Sequence, residues 1–435
     1  MTIPDITQFD VFPTTGFLPD KLPLERLTQE YYQPWETVVN NLPSLILTKR
    51  IRSVIDKLPV LETTQLTTVE EYRRAYLALG FLAHAYVWGT DTPTDKLPPQ
   101  IAEPWIKVAN HLGLPPIATY AGLCLWNFKQ IIPSDDLWDL DNLTTINTFT
   151  GSIDESWFYL VSVYFEHKGA LSITTGMNAL ECAQNKDTKG LVEHLQQLAE
   201  SIDMLGSVLM KMEEMCDPHV FYFRIRPYLA GWKNMTEVGL KGVYYGNESS
   251  VRNYSGGSNA QSSLIQFLDI LLGVKHYSTG ERPSPYKQTS GELNGFMDEM
   301  RSYMPEPHQK FLLELQRITT IKDFVHSQND PELNLSFDAC LAMLKLFRDK
   351  HIQIVTRYIV LQAQKLAKLG STGTLRSGLA RAKKEERGTG GTSLLPFLKQ
   401  CRDETGDPAA GNWGKRILSD GVMRLNYSKP NPLNE

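Results

Sequence analysis

Between Ser134 and Asp217 the apolar residues recur at steps of three and four rather than at alternate positions, and no proline intervenes. That period lines one face of a helix and predicts long helices through the stretch. A second proline-free stretch, Glu332 to Leu395, repeats the pattern. Within it Phe337 to Leu369 reads as one continuous helix, capped by Ser336 and closed by Gly370. About 30 residues rising about 1.5 Å each make a rod that crosses a whole domain. Strand-like alternation is sparse and best at Leu240 to Tyr245, so the expected fold is all-α.

Proline punctuates the chain unevenly, with 14 of 25 in residues 1–150. Because proline is tolerated in a first helical turn and breaks a helix interior, the first part reads as short helices joined by turns. One amphipathic helix there runs from Val69 to Val87, begun by Thr67 and Thr68 with Glu70 and Glu71 in its first turn. The change in proline density predicts two units. A smaller, mostly helical one covers residues 1–148 and a larger helical one covers 149–435. Two irregular segments interrupt the helical reading. Tyr254 to Ser263 is small and polar, and residues 370–393 form a charge-, glycine- and serine-rich loop ending in Gly388-Thr389-Gly390-Gly391-Thr392. A loop longer than about 15 residues is expected to be a mobile lid or disordered. As phosphate cradles both are weak, because no Lys-Ser/Thr follows the glycines.

The 435 residues, 42% of them hydrophobic, suffice for one large core or several ordinary ones. Forty-four basic against 49 acidic residues leave a net charge of −5, which argues against nucleic-acid binding. The charge-free stretch Ala75 to Thr90 is too short to span a bilayer, and Val108 to Phe128 is broken by Asn110, His111, Pro115 and Pro116. The N-terminus lacks the charged start and apolar run of a signal peptide. Cys124, Cys182, Cys216, Cys340 and Cys401 are scattered and form no CxxC pair, which predicts a reducing, cytoplasmic setting.

None of the nine histidines falls in an HExxH or other paired zinc spacing, which argues against a protein-only zinc site. His351 lies on a stripe with Leu344, Phe347, Val355 and Tyr358 of the long helix. It reads either as a core histidine satisfied by one hydrogen bond or as a single axial ligand to a haem iron. Phe158 and Ser162 share a helix face with Phe165. That serine is either back-bonded to the preceding turn or a small polar contact in an aromatic pocket; no GxSxG elbow supports a hydrolase. In FYFRIRPYLAGW, Phe221 to Trp232, Arg224 and Arg226 stand among aromatics. Buried arginines need anions, supplied by a structural ion pair or by a substrate carboxylate. Asp269 and Arg348 are a further candidate pair, with Arg348 one helical turn from His351.

Taken in order, FYLVSVYFE (Phe158–Glu166), RPYLAGWK (Arg226–Lys233), GGSNAQSS (Gly256–Ser263), LDILLG (Leu268–Gly273), MRSYMP (Met300–Pro305), KHIQIVTRYI (Lys350–Ile359) and GTGGT (Gly388–Thr392) resemble the indoleamine 2,3-dioxygenase family. The resemblance runs from about Pro19 to Cys401. It implies a small N-terminal helical domain over the distal side of a large helical domain, with one b-type haem per chain, ferrous in its active form. His351 then corresponds to the proximal ligand, with Asp269 and Arg348 as the pair behind it. Phe158 and Ser162 match the distal wall. Tyr120, Phe221, Arg226, Gly257 and Ser258 match substrate-binding positions, Arg226 holding a carboxylate. Thr389, Gly390, Gly391 and Thr392 match a lid at the substrate's ammonium end.

The implied reaction inserts both atoms of O2 across the indole C2=C3 bond of L-tryptophan to give N-formyl-kynurenine, the first step of the kynurenine route to NAD. Ser162 is a poor base, so the indole itself must attack the oxygen. An external electron donor and a monomeric protein complete the expectation. Leu123, Asn259, Tyr159 and Tyr222 stand where vertebrate members carry cysteine, alanine and two phenylalanines, and Arg376 to Arg387 is a basic insertion resembling fungal members. These changes alter pocket polarity, which keeps a haem-dependent oxygenase of another indole, or a haem protein without catalysis, as alternatives.

Overall fold

A computed structural model describes residues 3–282, 295–369 and 394–419. The GTGGT segment, the rest of loop 370–393, Gly370 and the basic insertion lie outside the described residues. Helices dominate, as the periodicity predicts. The early ones are α1 (Gln33–Asn40), the longer α2 (Val69–Trp88) and α3 (Pro99–His111). The long pair follows at the proline-free stretch, α4 being Ile153–Asn185 and α5 Thr188–Met210. Beyond them come α6 (Ser263–Leu272), α7 (Glu306–Ile318), α8 (Pro331–Val355) and α9 (Leu394–Glu404).

α2 begins as expected. The Thr68 hydroxyl accepts from the Glu71 amide while the Glu71 carboxylate accepts from the Thr68 amide, a reciprocal capping box. From Arg74 to Trp88 nearly every side chain is buried, so this helix is a central rod rather than the one-sided surface helix read from the sequence. Arg74 is fully buried against Glu36 of α1 at 2.6 Å and also donates to Asn147. Removing one partner of such a pair costs about 3–5 kcal/mol, because the other charge is stranded.

The helix that carries His351 departs from the expected bounds at both ends. α8 starts at Pro331, with Asp330 accepting from the Glu332 and Leu333 amides, while Ser336 sits inside the helix and donates to the Glu332 carbonyl. Proline at the first position lacks only an amide that would have had no partner, so it opens a helix here. At the far end a π-helical turn, Thr356–Val360, interrupts the rod before it continues as Leu361–Leu369.

The strands are short. β1 (Lys96–Leu97) pairs in parallel with β4 (Val243–Tyr245), which pairs antiparallel with β5 (Val251–Arg252); β2 (Lys129–Gln130) and β3 (Leu143–Thr144) form a separate ribbon. β4 lies inside the expected Leu240–Tyr245 segment.

Side chains pack into two hydrophobic clusters. One gathers α1 to α3 with Trp157–Val163, Phe221–Tyr245, Ile354 and Tyr358; the other gathers Phe165–Ala183 with α5, α6, α7 and Phe337–Leu344. α5 packs between α4 and α8. Both α4 and α8 thus pass from one cluster to the other, with Ser162 and His351 near the crossing points. Among the described residues no helix is long and apolar enough to cross a membrane.

Candidate active site

A cavity of about 260 Å³ opens where the two clusters meet. A single water needs only about 10–15 Å³, so this is a ligand-sized space rather than a packing defect. α4 delivers Phe158, Ser162 and Phe165 to its wall, at spacings that share one helix face. The Ser162 hydroxyl donates to the Phe158 carbonyl at 3.4 Å and also lines the cavity, so the two sequence readings of this residue coexist.

The facing wall is built from irregular backbone. Tyr120 leads into a π-helical turn, Ala121–Leu125, and Phe221 opens another, Phe221–Ile225. The Phe158 and Phe221 rings stand 4.9 Å apart at 54°, and Phe221 meets Tyr358 edge-on at 5.8 Å. Arg226 is buried on the cavity wall with its guanidinium over the Tyr222 ring, 5.3 Å from the centroid. Arg224 is exposed, contrary to the joint burial expected of the two arginines. The π turn directs it outward.

Gly257, Ser258 and Asn259 reach the cavity on a segment that only glycine could bring so close. A Cβ at Gly257 would lie 2.4 Å from a Leu123 methyl, and one at Gly256 would lie 2.1 Å from the Leu229 carbonyl oxygen. Gln261 ties this segment to the other wall, accepting from the Tyr120 amide at 2.9 Å and donating to the Gly256 carbonyl at 2.9 Å. Sequence reasoning missed Gln261, a polar residue in a polar run.

A buried acid was missed too. Glu166 Oε1 accepts from the Tyr120 hydroxyl at 2.9 Å and from the Ser262 hydroxyl at 2.6 Å. Burial pushes its carboxyl up to about 7, against those two hydrogen bonds. The hydroxyl of Tyr159 donates to Glu155 at 3.1 Å, so the extra oxygen at this position is engaged within α4.

His351 lines the same cavity from α8, and no described residue hydrogen-bonds to its ring. Enclosure by protein, with the Arg348 charge one turn away, lowers its pKa to about 4. The imidazole is therefore neutral, with a nitrogen lone pair to offer. Behind it the Arg348 guanidinium donates to both Asp269 oxygens at 2.7 Å. Burial alone would raise the Asp269 carboxyl, and the neighbouring Arg348 and His276 charges more than offset this and hold it low.

These observations fit a haem. Aromatic and aliphatic side chains dominate the cavity wall, and among the described wall residues His351 offers an imidazole without a hydrogen bond, the donor type an axial iron site uses. All of the expected pocket residues inside the described chain come together here: Tyr120, Phe158, Ser162, Phe221, Arg226, Gly257, Ser258, Arg348 and His351 on the wall, and Asp269 behind Arg348. Thr389, Gly390, Gly391 and Thr392 fall outside the described residues. Wall residues Phe296, Phe397 and Cys401 carried no motif, although Phe296 lies four residues before MRSYMP and Phe397 five after GTGGT.

The sequence model of a family described as indoleamine 2,3-dioxygenase matches residues 5–408. The chain is 46% identical over 427 residues, 93% of each chain, to the indoleamine 2,3-dioxygenase of Saccharomyces cerevisiae. It is 37% identical to the 6-hydroxytryptophan 2,3-dioxygenase of Fusarium equiseti, covering 92% of this chain and 96% of the other. To mouse indoleamine 2,3-dioxygenase 1 it is 34% identical, covering 86% and 88%. The matched span takes in every wall residue named above, and the chain belongs to the indoleamine 2,3-dioxygenase family of haem-dependent dioxygenases, which use O2.

Proposed function

We propose that this chain converts L-tryptophan to N-formyl-kynurenine at the cavity between the two clusters, as the first step of the kynurenine route to NAD. The observation that carries the reading is the neutral His351, to which no described residue hydrogen-bonds, in the wall of a largely apolar cavity that also exposes a buried arginine. His351 would hold a b-type haem, with Asp269 and Arg348 fixing its helix. In its ferrous form that group supplies O2 activation.

The chain's own residues do the rest. Phe158 and Phe221, whose rings touch each other, make one apolar wall against which an indole packs and from which water is excluded. Arg226 holds the substrate carboxylate, its planar fork suited to two parallel hydrogen bonds. Ser162, already donating to a backbone carbonyl, contributes polarity and takes no proton. Tyr120, Gly257 and Ser258 shape the wall, and Thr389, Gly390, Gly391 and Thr392 are assigned to the substrate's ammonium end. Residues 1–148 form the unit over the distal side and 149–435 the haem-bearing one. The reading takes the protein as a cytoplasmic monomer reduced by an external donor.

The test is direct. Purified holoprotein with reductant, O2 and L-tryptophan should accumulate N-formyl-kynurenine carrying both labelled atoms from 18O2, and His351→Ala should lose the Soret band. No product from the wild type, or an unchanged Soret band in the variant, defeats the reading. A second reading, a preference for a substituted indole, is favoured by Asn259 on the wall and by the Fusarium relative's name. Ranking kcat/KM over L-tryptophan, tryptamine and ring-hydroxylated tryptophan separates the two.

A further inference from the structure

One cluster of metal-ligating side chains takes no part in the proposed reaction. His276 lies just beyond α6, while Cys401 and Glu404 are three apart on α9 and share a face. All three are buried, and one ligating atom from each lies within 4.8 Å of the other two. His276 Nδ1 is 2.7 Å from Glu404 Oε2. Its other nitrogen, Nε2, is 3.1 Å from Asp269 Oδ2, and Asp269 is in turn held by Arg348. A carboxylate on the far nitrogen of a histidine is the arrangement that orients and strengthens a metal-ligating imidazole. The second oxygen of Glu404 is already anchored by the Tyr277 amide at 3.1 Å and the Gln400 side chain at 2.7 Å, which leaves Oε2 turned toward His276.

We propose that His276 Nδ1, Cys401 Sγ and Glu404 Oε2 bind one divalent ion of the zinc type, separate from the haem iron. A sulfur, a nitrogen and an oxygen donor form a set that zinc accepts and that magnesium and calcium, which take oxygen ligands, do not. His276 and Cys401 also face the cavity, so the fourth coordination position is available to water from that side.

The charges of the cluster suit a divalent ion. Burial opposes a charged His276, and the carboxylates on its two sides hold its pKa well above the ordinary value. Metal binding requires a bare Nδ1 and a Cys401 thiolate, while Nε2–H stays on Asp269. The Cys401 thiolate and the Glu404 carboxylate then set two negative charges against the two positive charges of the ion. The ion would cross-link α9 to the segment following α6, behind the Arg348 that backs the ligand helix. Short-range spacing could not reveal such a site, because its ligands come from two distant stretches of the chain.

The experiment uses full-length holoprotein from zinc-supplemented culture, freed of loose metal by gel filtration. Elemental analysis should give close to one zinc per haem iron, and X-ray absorption at the zinc edge should show a sulfur neighbour at about 2.3 Å. Cys401→Ser and, separately, His276→Gln should lose the zinc while keeping the Soret band. If either variant fails to fold, Glu404→Gln and the wild-type absorption spectrum carry the test. A wild type without zinc, a zinc shell without sulfur, or folded variants that retain zinc would each overturn the site and leave an imidazolium–carboxylate network in its place.

Discussion

No solvent reaches His84, so both ring nitrogens must find partners inside the fold. Nδ1 lies 2.7 Å from the Tyr228 carbonyl and Nε2 accepts from the Ala118 amide at 3.1 Å, a pair of bonds that only the neutral tautomer with its proton on Nδ1 can make. Burial lowers its pKa from the ordinary 6.5 to about 4, outweighing the Tyr228 carbonyl. The unfolded chain therefore takes up this proton first as pH falls. The contribution is complete above pH 6.5 and drains toward pH 4, at up to about 1.4 kcal/mol per pH unit. Glu166 acts with the opposite sign, since its carboxyl is protonated up to about 7 in the fold but only to about 4.5 when unfolded. Comparing wild type with His84→Gln isolates the first effect. The stability difference from urea unfolding should shrink steadily from pH 7 to pH 4, and a difference independent of pH would refute the assignment. Neither partner of His84 was legible in the sequence, because both are backbone groups, one of them more than a hundred residues away.

Helix α4 passes so close to α6 that at two of its positions a side chain fits only if a neighbour moves. A Cβ at Gly169 would come within 2.1 Å of Leu264, and one at Gly176 within 2.6 Å of Leu271. Both neighbours are flexible leucine tips, so alanine can be absorbed, whereas the fixed branches of valine cannot easily turn away. Gly169→Val should cost about 1–3 kcal/mol from overpacking and, by displacing the helix that bears Asp269, loosen haem retention. Thermal unfolding together with haem transfer to apomyoglobin measures both, and unchanged values would show that the contact has slack. At this scale the start of α2 was legible because capping is local, Thr68 and Glu71 being three residues apart. Pro331 misled, since a proline that opens a helix and one that ends it look alike until Asp330 is seen to cap it. The π turns at Ala121, Phe221 and Thr356 left no trace in the periodicity. They place Phe221 and Tyr358 on the pocket wall.

Across the whole molecule, the cavity is a gap shared by both clusters, so the group that fills it should stabilise the entire chain. At a free haem concentration 100 times its Kd the gain is about 2.7 kcal/mol. Stripping the haem should therefore lower Tm, and restoring it should return the loss in proportion to the logarithm of free haem. Calorimetry that finds equal Tm values with and without haem would contradict a site between the clusters. The all-helical class was readable because long proline-free periodic stretches permit little else, and His351 because it sits on one of them. The His276–Cys401–Glu404 grouping was not, as tertiary folding alone assembles it. The crossing of α4 and α8 between the clusters also bears on traffic. α4 runs from Ile153 to Asn185 without a proline, and α8 is continuous through His351. Two halves joined by a pair of stiff beams cannot swing apart like a clamshell without snapping both. Any group entering or leaving the cavity would therefore have to displace the irregular segments of its wall rather than part the two halves of the molecule.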